Sequence, residues 1–362
     1  MNCKISIFLT IWSTLVALCA GAGKRPPCVA CSVGVPQGAN QDTVPVLYHN
    51  VKGTGAGAYL YSMLFAAAYA ESRGWIYGGT AEEPKVERKL IRFIFNSDFP
   101  PVDASKSTTL QIERASDLHK IKGPSWPATS IVVLDDDWLN LEKQCETVDF
   151  PRFKYSDKVP VLDSIFRPSF LKEIQADNAV DLRRTATHFK SNNPKAPRVA
   201  IHIRRGPLIK GPFASRKHSL DSYYFAVVEI IRSRYPHAEI HAFPLLPKGS
   251  DAPAVNETEY AGYEKRDITV HFDASIQTTW AHFISADIFV MAHSAFSSVP
   301  ALLNPNCVVY DHFWLGKLDR HVTLHNFKEK FDQCYSSVAT VPVHAVQHGI
   351  PMNVLLPGKR IG

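Results

Sequence analysis

The second half of the chain alternates apolar runs of strand length with helical stretches, and this alternation constrains the fold more than any other feature. The first run, Arg198–Gly206, alternates β-branched residues with Ala200 and His202, ends in two cations and a glycine, and is bounded by Pro197 and Gly206-Pro207. The later runs are Glu239–Phe243, Ile268–Phe272, Asp287–Ala292 and Cys307–Asp311. Strands that alternate with helices predict a mainly parallel, doubly wound sheet and therefore an α/β fold.

The first half of the chain contains the same kinds of element at lower density. Val44–His49 predicts a strand, a glycine loop follows it, and Ala58–Arg73 predicts a largely apolar helix. Ser130–Leu134 predicts a further buried strand. The stretch Ser191–Pro197 holds two Asn and two Pro residues and separates the halves. We therefore predict two Rossmann-like domains that face each other across a crevice.

Changes in composition set the predicted boundaries. Residues 1–23 form a targeting segment, 24–42 a stem, 43–192 the N-terminal domain, 193–345 the C-terminal domain and 346–362 a tail. In the targeting segment, Lys4 precedes the apolar run Ile5–Ala20, and the small residues Ala20–Ala22 offer a cleavage site. The alternative is an uncleaved membrane anchor, because the run extended to Gly23 is long enough to cross a bilayer. Both interpretations predict the secretory pathway.

Cysteine usage agrees with an oxidising compartment. Of seven cysteines, Cys3 and Cys19 lie in the targeting segment, which leaves five whose pairing is open. Cys28 and Cys31 have the spacing of metal ligands, but a disulfide is the commoner fate of such a pair when no second pair accompanies it. Asn256-Glu257-Thr258 is a sequon for N-glycosylation in a polar stretch.

Composition and charge exclude several classes of protein. Hydrophobic residues make up 45% and charged residues 20% of the chain, as in an ordinary globular protein and unlike a disordered or fibrous one. The formal charge of +6 comes from 40 basic and 34 acidic residues without long basic runs. We therefore predict no nucleic-acid partner. A modest positive charge suits a small anionic ligand.

The strand that begins at Arg198 ends in two adjacent cations, Arg204 and Arg205, followed by Gly206. The carboxyl ends of parallel strands border the crevice in which open α/β sheets bind ligands. Two guanidiniums can each contact an anion with two hydrogen bonds, which suits a diphosphate better than a single carboxylate. The alternative is a solvated basic turn that pairs with surface acids.

Two other segments can hold an anion at a helix start. The loop Gly53–Gly57 would let backbone N–H groups approach a phosphate or sugar, with Gly55 and Gly57 as candidate contacts, although such loops also serve as plain tight turns. Ser294, Ser297 and Ser298 begin a helix after the strand Asp287–Ala292 and can donate to phosphate oxygens. The alternative for these serines is an ordinary N-cap.

A group of carboxylates, Asp135–Asp137, follows the buried strand Ser130–Leu134. It can supply a catalytic base or an acceptor-binding group, or simply cap a helix and face solvent. Its Asp-x-Asp pattern also favours a rival, metal-dependent transferase.

Three of these blocks resemble a known family. His202–Gly206 resembles the HxRR signature of fucosyltransferases of the α1,2, α1,6 and related types. Ser285–Leu303 is similar to their later S-A-D-x-x-V-x-x-x-S-x-F-S segment, which ends in A-L-L. The glycine loop together with Tyr69–Trp75 is similar to their amino-terminal part. The blocks occur in the family's order, as scattered segments between Val46 and Asp311.

The resemblance implies a GT-B-like fold of two facing Rossmann-like domains, GDP-fucose as donor substrate, and no metal or other cofactor. It also implies a glycan or glycoprotein acceptor and a location in the Golgi lumen. By resemblance, Arg204 and Arg205 hold the donor diphosphate, and His202 and Asp287 lie near the nucleoside. The same resemblance assigns the serines of the later segment, namely Ser294, Ser297 and Ser298, to the phosphate site.

One departure from the family concerns the catalytic base. The family commonly has an aspartate two residues after the arginine pair, where this chain has Pro207, and no carboxylate lies between Arg205 and Asp221. Candidates for the base are therefore His218 and Asp135 with its neighbouring aspartates. A mechanism that relies on positioning alone is a further possibility.

We predict an inverting, metal-independent transfer of fucose from GDP-fucose to a glycan hydroxyl. One alternative is a catalytically impaired protein on the same fold that binds a nucleotide sugar or a glycan, which Pro207 favours. Another is a GT-B transferase that uses a different nucleotide sugar. A secreted hydrolase is disfavoured, because the sequence contains neither GxSxG nor HExxH.

Overall fold

The chain, described here by a computed structural model, divides into two compact units. Unit 1 comprises Met1–Asp181, Ser294–Leu303 and Phe313–Asp319, and unit 2 comprises Leu182–His293, Asn304–His312 and Arg320–Gly362. The structure describes residues 44–51, 55–81, 88–95, 99, 108–114, 129–135, 166, 171, 185–190, 196–204, 219–245, 257–272, 274–310 and 317–339.

The units differ from the predicted domains at three places, one of which is the segment Phe313–Asp319, predicted in the C-terminal domain but assigned to unit 1. The first division falls between Asp181 and Leu182, whereas the sequence predicts it between residues 192 and 193. The segment Ser294–Leu303, which the sequence assigns to the C-terminal domain, belongs to unit 1. The chain therefore leaves unit 2 after His293 and returns to it at Asn304.

Unit 1 contains a parallel sheet whose strand order reverses next to its first strand. The strands are β1 (Val46–His49), β2 (Ile76–Thr80), β3 (Thr108–Arg114) and β4 (Thr129–Asp135). Their order is β2-β1-β4-β3, and the pairs are parallel. Because β1 pairs with both β2 and β4, the order reverses between β1 and β4.

Two helices of unit 1 precede and follow β2. Helix α1 (Ala56–Ser72) is apolar on all sides, and every residue from Tyr59 to Ala70 is buried, as expected for a helix without a polar face. Gly74 follows the C-cap residue Arg73 and has a φ of 69°, so it closes the helix in the left-handed conformation that glycine adopts easily. Helix α2 (Arg88–Phe95) is amphipathic and buries Leu90, Ile91 and Ile94.

Unit 2 contains a longer parallel sheet. Its strands are β5 (Arg198–Arg204), β6 (Glu239–Leu245), β7 (Thr269–Val270), β8 (Ile288–Val290), β9 (Cys307–Tyr310) and β10 (Val322–Thr323). The order is β10-β9-β8-β5-β6-β7, with parallel pairing. The chain runs outward from β5 to β7 and then outward from β8 to β10. The order therefore reverses between β5 and β8, as in the doubly wound Rossmann arrangement.

The helices that complete the described structure are α3 (Asp221–Arg234), α4 (Ala261–Glu264), α5 (Ile276–Ser285), α6 (Ala295–Leu303) and α7 (Leu324–Ala339), with a 3₁₀ turn at Glu257–Tyr260. One face of β5, formed by Val199, Ile201 and Ile203, belongs to a core cluster that also contains side chains of α3 and α7. The members from those helices include Tyr224, Val227, Val228 and Ile231 of α3 and Phe327 and Phe331 of α7.

A disulfide between Cys307 and Cys334 joins β9 to α7. The two cysteines are 27 residues apart in sequence. Closing a loop of this length restricts the unfolded chain and stabilises the fold by about 3.5 kcal/mol. Cys28, Cys31 and Cys145 lie outside the described residues.

The predicted α/β class is confirmed, since both units contain parallel sheets that alternate with helices. Each unit holds one sheet, which agrees with the prediction of two Rossmann-like domains. No helix among the described residues is long and apolar enough to span a bilayer.

Candidate functional site

The carboxyl end of β5 carries the cation that the sequence predicts there. Arg204 is the last residue of β5, at the edge where the strand order of unit 2 reverses. Doubly wound sheets bind ligands at this reversal, outside the carboxyl ends of the strands. Arg204 is half-buried, and burial lowers the pKa of its guanidinium, which still stays charged at neutral pH. Arg205 lies outside the described residues.

His202 lies two residues before Arg204 and therefore on the same face of β5. Its side chain is fully buried, and its ring centroid is 5.5 Å from that of Phe283 on α5. Burial, and to a smaller extent the positive charge of Arg204, lowers the pKa of His202 to about 3. The imidazole is therefore neutral at physiological pH and packs beneath the strand end.

Asp287 lies at the opposite end of the strands from Arg204, just before the amino end of β8. It precedes β8, and its carboxylate accepts hydrogen bonds from the Nε (3.1 Å), Nη2 (3.1 Å) and backbone N–H (2.8 Å) groups of Arg198. Arg198 begins β5, so about 20 Å of strand separate it from Arg204. The structure thus does not bring Asp287 to the donor residues predicted beside it. Its carboxylate instead fastens the amino ends of β5 and β8.

The first turn of α6 shows the N-cap geometry that the sequence leaves open. Oγ of Ser294 accepts the backbone N–H of Phe296 at 3.2 Å, and the carbonyl oxygen of Ser294 accepts the N–H of Ser297 at 2.9 Å. Oγ of Ser298 donates to the same carbonyl at 3.4 Å. Ser294, Ser297 and Ser298 are all buried. The hydroxyls of Ser294 and Ser298 and the backbone N–H groups of Phe296 and Ser297 therefore stabilise the helix start.

Gly57 lies where α1 and α6 touch within unit 1. A Cβ at this position would lie 2.5 Å from both the backbone nitrogen and the Cα of Phe296, and 2.7 Å from the carbonyl carbon of Ala295. The first turns of the two helices therefore meet backbone to backbone, and only glycine permits this approach. A Cβ at Gly55, the N-cap of α1, would meet nothing within 4 Å. Gly55 and Gly57 were both predicted to contact the donor. Of the two, Gly55 has open space beside it, and Gly57 is packed against α6.

We predict that Gly57→Ala destabilises the protein by about 3 kcal/mol, because the new methyl group must push two backbones apart. Gly55→Ala is the matched control and should change stability by less than about 1 kcal/mol, since its φ of −123° suits alanine and the space is open. Urea unfolding of both variants measures the difference. A Gly57→Ala protein of unchanged stability would show that the helices do not require this glycine.

The two candidates for a catalytic base have no described side chains. His218 lies outside the described residues. Asp135 is the last residue of β4, so its backbone reaches the carboxyl edge of the unit 1 sheet beside the reversal between β1 and β4. Within the described part of the chain, no three His, Cys, Asp or Glu side chains are placed to hold a metal ion.

Two histidines at carboxyl strand ends were not among the predicted site residues. His49 ends β1 and is fully buried, with its Nδ1 3.3 Å from the carbonyl oxygen of Gly79, and burial lowers its pKa to about 3. His293 follows β8 at the reversal in unit 2 and is partly exposed. The available signal was their position at the end of a predicted strand, His49 as its last residue and His293 directly after it, and His293 also directly precedes Ser294.

Comparison with known proteins gives only distant likenesses. No protein-family profile and no curated protein matches the sequence. Among solved structures, POFUT1 is similar in its apo form (12% identity, TM-score 0.37), in complex with GDP (11%, 0.35) and in complex with GDP-fucose (14%, 0.35). Each likeness covers 79% of this chain and 98 or 99% of the other chain. Similarities with TM-scores this low do not assign a function to the chain.

Proposed function

We propose that this protein is a glycosyltransferase that moves fucose from GDP-fucose to a glycan hydroxyl, with inversion and without a metal ion. The observation that carries the proposal is the place of Arg204, at the carboxyl end of β5 where the strand order of the sheet reverses. The resemblance of His202–Gly206 to the HxRR signature of fucosyltransferases supports GDP-fucose as the donor substrate. Either feature without the other would fit many ligands.

The chemistry that Arg204 and Arg205 offer is electrostatic. The leaving GDP gains negative charge as the bond between fucose and phosphate breaks, and fixed guanidiniums stabilise that charge more in the transition state than in the ground state. Partial burial of Arg204 strengthens such an interaction, because less water screens it. His202 is neutral and buried, so it supports the strand end and takes no part in proton transfer there.

The catalytic base stays unassigned. His218 and Asp135 remain candidates from the sequence, and His293 joins them as a partly exposed imidazole beyond β8. The binding-protein alternative differs from the transferase in turnover and shares the donor site. A transferase that uses another nucleotide sugar differs in the nucleobase that it prefers in its donor.

Calorimetric titration with GDP and UDP, each with and without a strong chelator, tests the donor assignment. We expect GDP to bind about tenfold more tightly than UDP, a difference of one or two hydrogen bonds to the base, and we expect the chelator to leave binding unchanged. Preference for UDP would favour the other nucleotide sugar. Binding lost in chelator and restored by Mg²⁺ or Mn²⁺ would favour a metal site, with Asp135→Asn as the variant that should reproduce the loss.

We further propose that the protein resides in the Golgi lumen, anchored by its first 23 residues or released from them by cleavage. The Cys307–Cys334 disulfide supports an oxidising compartment. The full chain, expressed in a eukaryotic cell, should carry an N-glycan that endoglycosidase removes and that Asn256→Gln abolishes. A cytosolic pool without glycan and with reduced cysteines would contradict this location.

A further inference from the structure

Four histidine rings form a continuous cluster in unit 2. His188 stacks on His271 with ring centroids 4.0 Å apart, and His271 stacks on His241 at 5.0 Å. The ring centroid of His188 also lies 4.9 Å from that of His282 on α5. Phe243 of β6 lies 4.9 Å from both His271 and His282 and completes the cluster.

The cluster fastens the first described segment of unit 2, residues 185–190, to the sheet. The backbone N–H of His188 donates to Nε2 of His282 at 3.0 Å, and the backbone N–H of Lys190 donates to Oε1 of Glu239 at 2.7 Å. The Arg198 guanidinium lies over the ring of Phe189 at 5.5 Å. This segment lies just after the division at Leu182, so the cluster fixes the chain where it enters unit 2.

The hydrogen bonds of His282 exist only in its neutral form. Its Nδ1 lies 2.7 Å from the carbonyl oxygen of Thr278 and must carry the proton, because a carbonyl only accepts. Nε2 then has a lone pair, which accepts the N–H of His188. Protonation of Nε2 would place two N–H groups against each other and break the contact that holds the segment.

The pair formed by His241 and His271 tolerates one proton and rejects a second. Nδ1 of His241 lies 2.8 Å from Nε2 of His271, and Nε2 of His241 lies 3.1 Å from Oε1 of Glu239. The carboxylate can balance one imidazolium, whose remaining N–H then donates to the other ring. With both rings charged, the two facing nitrogens would both be donors, and the stacked rings would repel.

The charged groups that face the cluster come from each element around it. They are Glu239 at the start of β6, Lys190 within the segment, and Arg198 at the start of β5, whose charge is paired with Asp287. The charge of Glu239 raises the pKa of both His241 and His282, but burial has the larger effect and lowers both, that of His282 to about 4. His241 and His282 therefore favour the neutral form at physiological pH.

We propose that His188, His241, His271 and His282 form an acid-sensitive clasp, which holds residues 185–190 on unit 2 while His282 is neutral and opens more readily as the pH falls from 7.5 to 5.0. Release exposes His282 to water and restores its ordinary pKa, so the open form binds protons that the closed form excludes. The equilibrium constant for opening should rise about 30-fold between pH 7.5 and pH 5.0 from His282 alone. The inference does not depend on the proposed function.

Hydrogen exchange of the full chain at pH 7.5 and pH 5.0, read by mass spectrometry and corrected for the intrinsic exchange rate, tests the clasp. The peptide that contains residues 185–190 should lose about 30-fold in protection at pH 5.0. Unchanged protection of this peptide at pH 5.0 would overturn the proposal.

Two variants separate the clasp from general acid sensitivity. His282→Gln keeps an oxygen that can accept the N–H of His188 but cannot titrate, so most of the acid-induced loss should disappear. His237→Gln is the matched control, because His237 is exposed and lies outside the cluster, and it should keep the wild-type response. Retention of the full loss in His282→Gln would overturn the assignment of His282, and the wild-type comparison decides alone if this variant does not fold.

Discussion

Replacing Arg204 with Ala is expected to weaken GDP binding about 100-fold and to abolish most fucose transfer, while the free energy of unfolding stays nearly unchanged. A guanidinium that makes two charge-assisted hydrogen bonds to a phosphate contributes about 3 kcal/mol, which corresponds to that factor in affinity. The fold should survive, because Arg204 is the last residue of β5 and is only half-buried. Calorimetry with GDP measures the affinity, and urea unfolding measures the stability.

Three further variants make this result specific. Arg204→Lys should also bind poorly, since an ammonium cannot reproduce the planar pair of donors. Arg234→Ala removes an exposed cation at the end of α3 and should leave GDP binding unchanged. Arg198→Ala should do the reverse of Arg204→Ala, with lower stability because Asp287 loses its partner. If Arg204→Ala costs stability and spares binding, the cation belongs to a structural turn.

Acidification from pH 7.5 to pH 5.0 is expected to reduce the stability of unit 2 by about 4 kcal/mol. His202 and His282 are fully buried there, with pKa values lowered to about 3 and about 4, so the folded unit excludes protons that the unfolded chain binds below pH 6.5. Stability is therefore full above that pH and is lost as the pH falls, by about 2 kcal/mol for each histidine at pH 5.0. His49 should destabilise unit 1 in the same direction.

Urea unfolding at a series of pH values between 5.0 and 7.5 measures this loss. The slope of the unfolding free energy against pH should approach two protons for unit 2 near pH 5. His282→Gln should halve the slope, and the exposed His237→Gln should leave it as it is. Equal unfolding midpoints at pH 5.0 and 7.5 would show that these imidazoles are not held neutral.

Regular alternation made most of the second half predictable. The predicted strands that begin at Arg198, Glu239 and Cys307 start where β5, β6 and β9 start, and their ends agree within two residues. In the first half, α2 and β3 were missed because both are short and their apolar residues are interleaved with charged or polar ones. Helix α7 was also missed, and it is held to β9 through Cys334, a pairing that sequence spacing alone does not reveal.

The site was predictable where it depends on position within one strand. Arg204 follows an unbroken apolar run, so its place at the carboxyl end of β5 could be predicted. The same logic places Asp287, which begins a strand of the same parallel sheet, at the opposite edge, and the resemblance alone had grouped it with the donor. The packing of Gly57 against α6 and the histidine clasp could not be predicted, because each depends on contacts between residues far apart in sequence.

Release of GDP from GDP-fucose by the purified full chain, with a chelator present and Arg204→Ala as the paired variant, tests the proposed transferase most directly. Water can replace an unidentified acceptor, so this measurement does not require the acceptor to be known. Catalytic release of GDP and fucose by the wild type, reduced at least about 100-fold in Arg204→Ala, is the predicted result. Tight GDP binding without any turnover, or turnover that Arg204→Ala leaves unchanged, would contradict it.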